Sequence, residues 1–171
     1  MPFPYYERLS PRGQAVYRAS AAIASVPLPR PEEARPFVEG MQAALRADDR
    51  ALVQQAASGL ALALTRMLGV PALEVEVRAV RPTLKASELH GLYTRDDGRP
   101  PRIQVWMRTA QRGRVVAFRT FLRTLLHELL HHLDYSYFHL PDSLHTEGFF
   151  KRESSLLRQV LGEASPARSR P

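Results

Sequence analysis

The hydrophobic period of this chain changes at Pro71, and that change limits what the chain can fold into. Beyond it, Leu73, Val75 and Val77 alternate with Glu74, Glu76 and Arg78, the period of two expected of a half-buried strand. Before it, the apolar residues fall at helical spacing. Ser10 and Pro11 read as an N-cap and first helical residue opening a segment that carries Ala15, Tyr17, Ala21 and Ile23 and stops at Pro27, Pro29 and Pro31. A second helix is expected from about Glu32 to Ala47 and a third from Arg50 to Leu68, closed by Gly69 and Pro71. Two more strands, Glu88 to Arg95 and Arg102 to Arg108, flank a turn at Asp96-Asp97-Gly98 and read as a hairpin. Helical spacing then returns from Val115 to about Phe138 and from around Ser143 to Leu161, where Gly162 ends it.

The expected fold class is therefore α+β, in one domain of 171 residues. Residues 1–70 form an N-terminal helical layer of about three helices, 72–162 a core of a small three-stranded sheet with two helices, and 163–171 a flexible tail. No stretch approaches 18 consecutive apolar residues, and the start, MPFPYYERLSPRG, has neither the basic nor the apolar region of a signal peptide. The expectation is a cytoplasmic protein without a membrane partner. The sequence does not indicate an oligomeric state.

The chain has no cysteine, which excludes disulfides, thiolate metal sites and cysteine nucleophiles. Any metal must be held by His, Asp or Glu. Five of the six histidines lie between residues 124 and 152. On a helix, Phe118, Leu122, Leu125, Leu126, Leu129 and Leu133 share one face, with Phe121 and Leu130 at its margins. Thr120, Thr124, His127, His131 and Asp134 share the other. A solvated helix face carries Glu, Lys or Gln; hydroxyls and imidazoles suit a half-buried polar site.

His127-Glu128-Leu129-Leu130-His131 is an H-E-x-x-H pattern. Residues four apart on a helix have Cβ atoms about 5–6 Å apart, so both imidazoles can reach one tetrahedral cation. Glu128, turned about 100° from His127, cannot share that ligation easily but can take a proton from an attacking water and return it to a leaving amine. A catalytic zinc needs a third protein ligand and an open fourth position. The metzincin extension fails, because Asp134 and Tyr137 stand where Gly and His are required. His145 is the preferred third ligand, lying just after Pro141-Asp142-Ser143, where Asp142 or Ser143 can cap the final helix, and one turn before Phe149. Glu153 and Glu147 are the alternatives.

With these residues in view, LLHELLHH followed by HTEGFF resembles the zincin peptidases of the SprT and WLM kind over about residues 72–162. The resemblance implies a zincin-like core: a small sheet above the zinc helix, an edge strand that pairs with an extended peptide, a Zn²⁺ cofactor, and hydrolysis by a metal-activated water. By position, Arg102 to Arg108 would be the edge strand. The three N-terminal helices have no counterpart in that group, and no nucleic-acid module follows residue 162, so a role in DNA–protein crosslink repair is not carried over.

The expected function is a zinc metallopeptidase acting on peptide or protein, with Glu128 as general acid/base and His127, His131 and His145 as ligands. The competing readings are a non-catalytic, metal-stabilised binding protein and a zinc hydrolase of a non-peptide amide. His132 reads as a packed histidine donating to a carbonyl or as support for the ligands, and Asp134 as a helix-end acid or a partner orienting His131 or His127. Tyr135 and Tyr137 are alternative donors to a developing oxyanion, or core aromatics. His90 reads as a structural strand residue, and His139 and Asp142 as solvated loop. Eight arginines between residues 95 and 123 face only Asp96 and Asp97 there, and the net charge is +7. A nucleic-acid partner would need aromatic residues among them, and only Trp106 is near, so a solvated rim is the simpler reading.

Overall fold

A computed structural model of the chain describes residues 1–83 and 89–164. Among these residues the fold is α+β, with five α-helices and a three-stranded mixed sheet. Glu88, in the expected second strand, and residues 165–171 of the expected tail lie outside the described residues. No helix among the described residues is long and apolar enough to cross a membrane.

The N-terminal layer follows the sequence closely. Helix α1 spans Pro11–Ala22, and the Ser10 Oγ accepts the Gly13 N–H at 3.1 Å, satisfying one of the free donors of the first turn. A short 3₁₀ turn, Pro31–Ala34, leads into α2, Arg35–Arg46, and Asp49 caps α3, Arg50–Met67. The faces of α2 and α3 carrying Val38, Met41, Leu45, Val53, Ala57, Leu60 and Leu64 are buried in the common core.

The strands are β1, Glu74–Val80; β2, Gly91–Thr94; and β3, Arg102–Arg108. Their order in the sheet is β1-β3-β2, with β1 parallel and β2 antiparallel to β3. The expected edge strand, Arg102 to Arg108, is thus the central one, and β2 is an edge. Period-two alternation shows that a strand has two faces; it does not say how many neighbours the strand has. The burial of β3 from Ile103 to Met107, on both faces and including Gln104 and Trp106, accords with its central place.

The outer edge of β1 is closed by α3. The Gln54 side-chain amide donates to the Val75 carbonyl and accepts the Val77 N–H, each at 2.7 Å, and Arg50 donates to the Val77 carbonyl at 3.1 Å. These bonds satisfy backbone groups that another strand would otherwise pair.

Helix α4, Phe118–Ser136, lies against the sheet with Phe121, Leu122, Leu125, Leu126, Leu129, Leu130 and Leu133 all buried. Helix α5, Glu147–Leu161, begins later than the expected Ser143. Thr146, not Asp142 or Ser143, caps it, accepting the Phe149 N–H at 3.0 Å. Gly162 ends it in the left-handed conformation, φ +68°, as its position suggests. Phe149, Leu156, Leu157 and Val160 are buried, while Phe150 is exposed. The end of α1 runs directly over the start of α5 at Gly148, where an added Cβ would lie 2.3 Å from the Ser20 carbonyl oxygen and 2.7 Å from that of Ala21. Because the obstacle is backbone, Gly148→Ala is expected to destabilise the fold by about 1–3 kcal/mol, measured as a shift of the denaturant midpoint.

Candidate metal centre

Helix α4 brings His127 and His131 to one side, one turn apart, as their spacing requires. The segment between α4 and α5 delivers His145 beside them. The His127 and His145 Nε2 atoms are 2.9 Å apart, and those of His145 and His131 3.2 Å. All three residues offer ligand nitrogens within 4.8 Å of one another, close enough to hold one metal ion. Nitrogens at zinc-ligand distance on a tetrahedral cation are separated by about 3.3 Å, close to these values.

The remaining ring nitrogens fix the tautomers. His127 Nδ1 lies 2.8 Å from Glu153 Oε2, so it carries the proton and donates. Ser143 Oγ donates to Asp134 Oδ2 at 2.8 Å, which leaves His131 Nδ1–H as the donor to Ser143 Oγ at 2.7 Å. Both arrangements leave Nε2 with a free lone pair aimed at the common point. Burial, with the neighbouring imidazoles adding to it, pulls the His131 pKa down to about 3 and lowers that of His145. Neutral imidazoles are the form that binds a metal, so the donor set fits a cation such as zinc.

Glu128, the sequence neighbour of His127, is buried and does not join the three nitrogens. Burial raises its pKa to about 7, against the lowering effects of His127 and of the Tyr93 backbone hydrogen bond. Its carboxylate is pressed against β2: a Cβ at Gly91 would sit 2.6 Å from Glu128 Oε1. Since the Tyr93 N–H goes to Glu128, the backbone groups of Gly91 and Tyr93 face away from β3, on the open side of the sheet.

The two glutamates weighed as third ligand are committed elsewhere. Glu153 supports His127 through Oε2 and accepts from Arg123 at 2.6 Å through Oε1. The Glu147 carboxylate accepts the Tyr17 hydroxyl at 2.7 Å, a bond that holds its pKa down. His132 donates from Nε2 to the Pro71 carbonyl at 2.8 Å and meets the Tyr93 hydroxyl through Nδ1 at 3.2 Å, the packed role foreseen for it. Of the two tyrosines, Tyr135 lines the cleft above the histidines and donates to Asp142. Tyr137 instead packs against Phe138 and the core.

Asp134 acts on His131 only through Ser143, and it is fully buried beside Arg152, its Oδ1 accepting from NH2 at 2.9 Å. Arg152 also donates to the Ser20 and Ile23 carbonyls at the end of α1, at 2.7 and 2.8 Å. This network runs from α1 to a ligand, and periodicity alone did not reveal it: Arg152 reads as a surface residue until its helix is placed.

The cleft itself holds about 600 Å³ and has β2 as one wall, from His90 to Tyr93. His90, expected to be structural, is exposed at this wall. Tyr93 stacks between His131 and Tyr135, with ring centroids 6.3 Å from each, and the Arg95 guanidinium lies 4.7 Å from the Tyr135 ring. Three arginines of the basic stretch are paired with acids from outside it: Arg108 with Asp48, Arg119 with Glu163 and Arg123 with Glu153. The local charge imbalance is smaller in space than in sequence. No protein-family model, curated protein or solved structure matches the chain.

Removing Arg152 would leave the Asp134 carboxylate buried without its counter-charge. Arg152→Met is expected to lower stability by about 3–5 kcal/mol in equilibrium unfolding.

Proposed function

We propose that this chain is a zinc-dependent metallopeptidase with a zincin-like core. The single observation that carries the reading is the convergence of the His127, His131 and His145 Nε2 atoms beside the carboxylate of Glu128, in a cleft walled by an edge strand. His127, His131 and His145 would hold the cation. A bound zinc ion would polarise the scissile carbonyl and make an attacking water more acidic.

The remaining steps belong to the chain's own residues. Glu128 accepts the proton of the attacking water and delivers it to the leaving amine nitrogen. Glu153 and Ser143, bonded to the outer nitrogens of His127 and His131, keep both rings in the ligating tautomer and orientation. Tyr135 stands at the cleft wall, and on releasing Asp142 its hydroxyl would donate to the developing oxyanion.

Strand β2 replaces Arg102 to Arg108 as the strand that receives substrate. Its outward backbone groups at Gly91 and the Tyr93 carbonyl suit pairing with an extended peptide, the Tyr93 N–H being engaged by Glu128. The side-chain-free Gly91 lets strand and helix approach until Glu128 lies directly below. The engagement of Glu147 by Tyr17, and of Glu153 by His127 and Arg123, favours an open fourth position over a closed structural site.

Wild-type protein is expected to bind zinc stoichiometrically and to hydrolyse an unstructured protein such as casein, with loss of cleavage on chelation. Glu128→Gln should retain zinc, measured by metal analysis, while hydrolysis falls by about 10²–10⁴-fold. Wild-type rates in that variant would remove Glu128 from the mechanism. Gly91→Ala should also keep the metal and lose most activity, because the new methyl group displaces the Glu128 carboxylate.

A further inference from the structure

His145 belongs to no helix or strand: α4 ends at Ser136, and α5 starts at Glu147 after the Thr146 cap. A ligand on a connecting segment is only as well placed as the bonds that hold its backbone. One such bond, with several side-chain contacts beside it, comes from the first twenty residues. The Tyr5 hydroxyl donates to the His145 carbonyl oxygen across 140 positions of sequence. Ser20 Oγ lies 3.1 Å from Thr146 Oγ1, and the Tyr17 hydroxyl donates to Glu147 at 2.7 Å while accepting the Phe3 N–H at 2.8 Å. The Phe3 ring meets Phe150 edge-on at 6.0 Å, and Phe150 stacks on the His145 imidazole at 5.9 Å and 23°. Residues 145, 146, 147 and 150 therefore each touch the N-terminal segment.

We infer that residues 3–20 form a latch that places the third imidazole, with Tyr5 as its main positioning residue, so that cation affinity is set partly from the far end of the chain. The inference rests on the metal-site reading above. Tyr5 acts on the His145 carbonyl and leaves the ring nitrogens free, so its contribution is to order, not to ligation. Without that hydroxyl the connection between α4 and α5 gains freedom, and its ordering becomes an added cost of binding the ion. Bonds that orient a ligand in this way typically govern about 10- to 100-fold in metal affinity.

Tyr5 is only partly buried, and Tyr5→Phe keeps the ring contacts with Phe3 and Tyr17, so the variant is expected to fold. The test measures zinc dissociation constants on the full chain by competition with a chromophoric chelator, beside the visible spectrum of the cobalt-loaded protein and the thermal midpoint of the metal-free protein. Tyr5→Phe is expected to weaken zinc binding by about 10-fold, alter the cobalt spectrum and leave the metal-free midpoint in place. Tyr6→Phe, whose hydroxyl faces Arg18 instead, should bind zinc like wild type. In a His145→Ala background, Tyr5→Phe should cause no further loss. Unchanged affinity in Tyr5→Phe, or an equal loss with and without His145, would overturn the latch while leaving the metal centre intact. A wild-type protein that takes up no zinc would overturn the metal reading and the latch with it.

Discussion

The arrangement of this molecule depends on one buried ion pair, Asp134 with Arg152, both without solvent exposure. Two charges withdrawn from water are costly unless their remaining hydrogen-bonding capacity is used, and here both terminal guanidinium nitrogens of Arg152, though not its Nε, are used to join separate parts of the chain. Asp134 brings α4 and, through Ser143, the outer nitrogen of His131. Arg152 brings α5 and the carbonyls that end α1. The pair therefore holds the helix bearing two imidazoles, the segment bearing the third and the N-terminal layer in fixed relation. Loosely held imidazoles would not keep their nitrogens within 3.2 Å of each other at two of the three edges.

Much of the fold was legible from local pattern. The apolar face of α4, the start of α1, both ends of α3 and the Gly162 stop follow from spacing and capping chemistry, whereas α1 ends at Ala22, before Ile23 and the Pro27 cluster expected to stop it. The strand order did not follow, because a seven-residue strand such as β3 carries no local mark of having one neighbour or two. What distinguishes β1 from β2 at the sheet edges is Gln54, a residue of α3 remote from either strand in sequence. Its role exists only once the helix is laid against the sheet.

The candidate site divides in the same way. The positions of His127, Glu128 and His131 are dictated by one helical turn, and their grouping was readable. The choice of His145 over Glu147 and Glu153 needed an argument about a helix start, and the start itself proved to lie at Thr146. Glu153 lies near the right place, bonded to the outer nitrogen of His127, which spacing cannot tell apart from a place among the three imidazoles. Tyr93 and Gly91 escaped notice because nothing in a four-residue strand announces that a helix carboxylate will press on it. Likewise, no local pattern marks Tyr5, Tyr17 and Ser20 as the residues that meet 145–147.

Gln54 also bears on how the protein behaves in a crowded solution. A short sheet with two bare flanks can recruit further copies of itself from both sides and so propagate as a fibre. By engaging the backbone of Val75 and Val77, the glutamine, with Arg50, blocks the middle of the β1 flank of the described sheet and leaves β2 the more available one. Recruitment that can occur on one flank alone ends after a single pairing, so the molecule can keep a strand accessible to a passing chain without becoming a template for its own polymerisation.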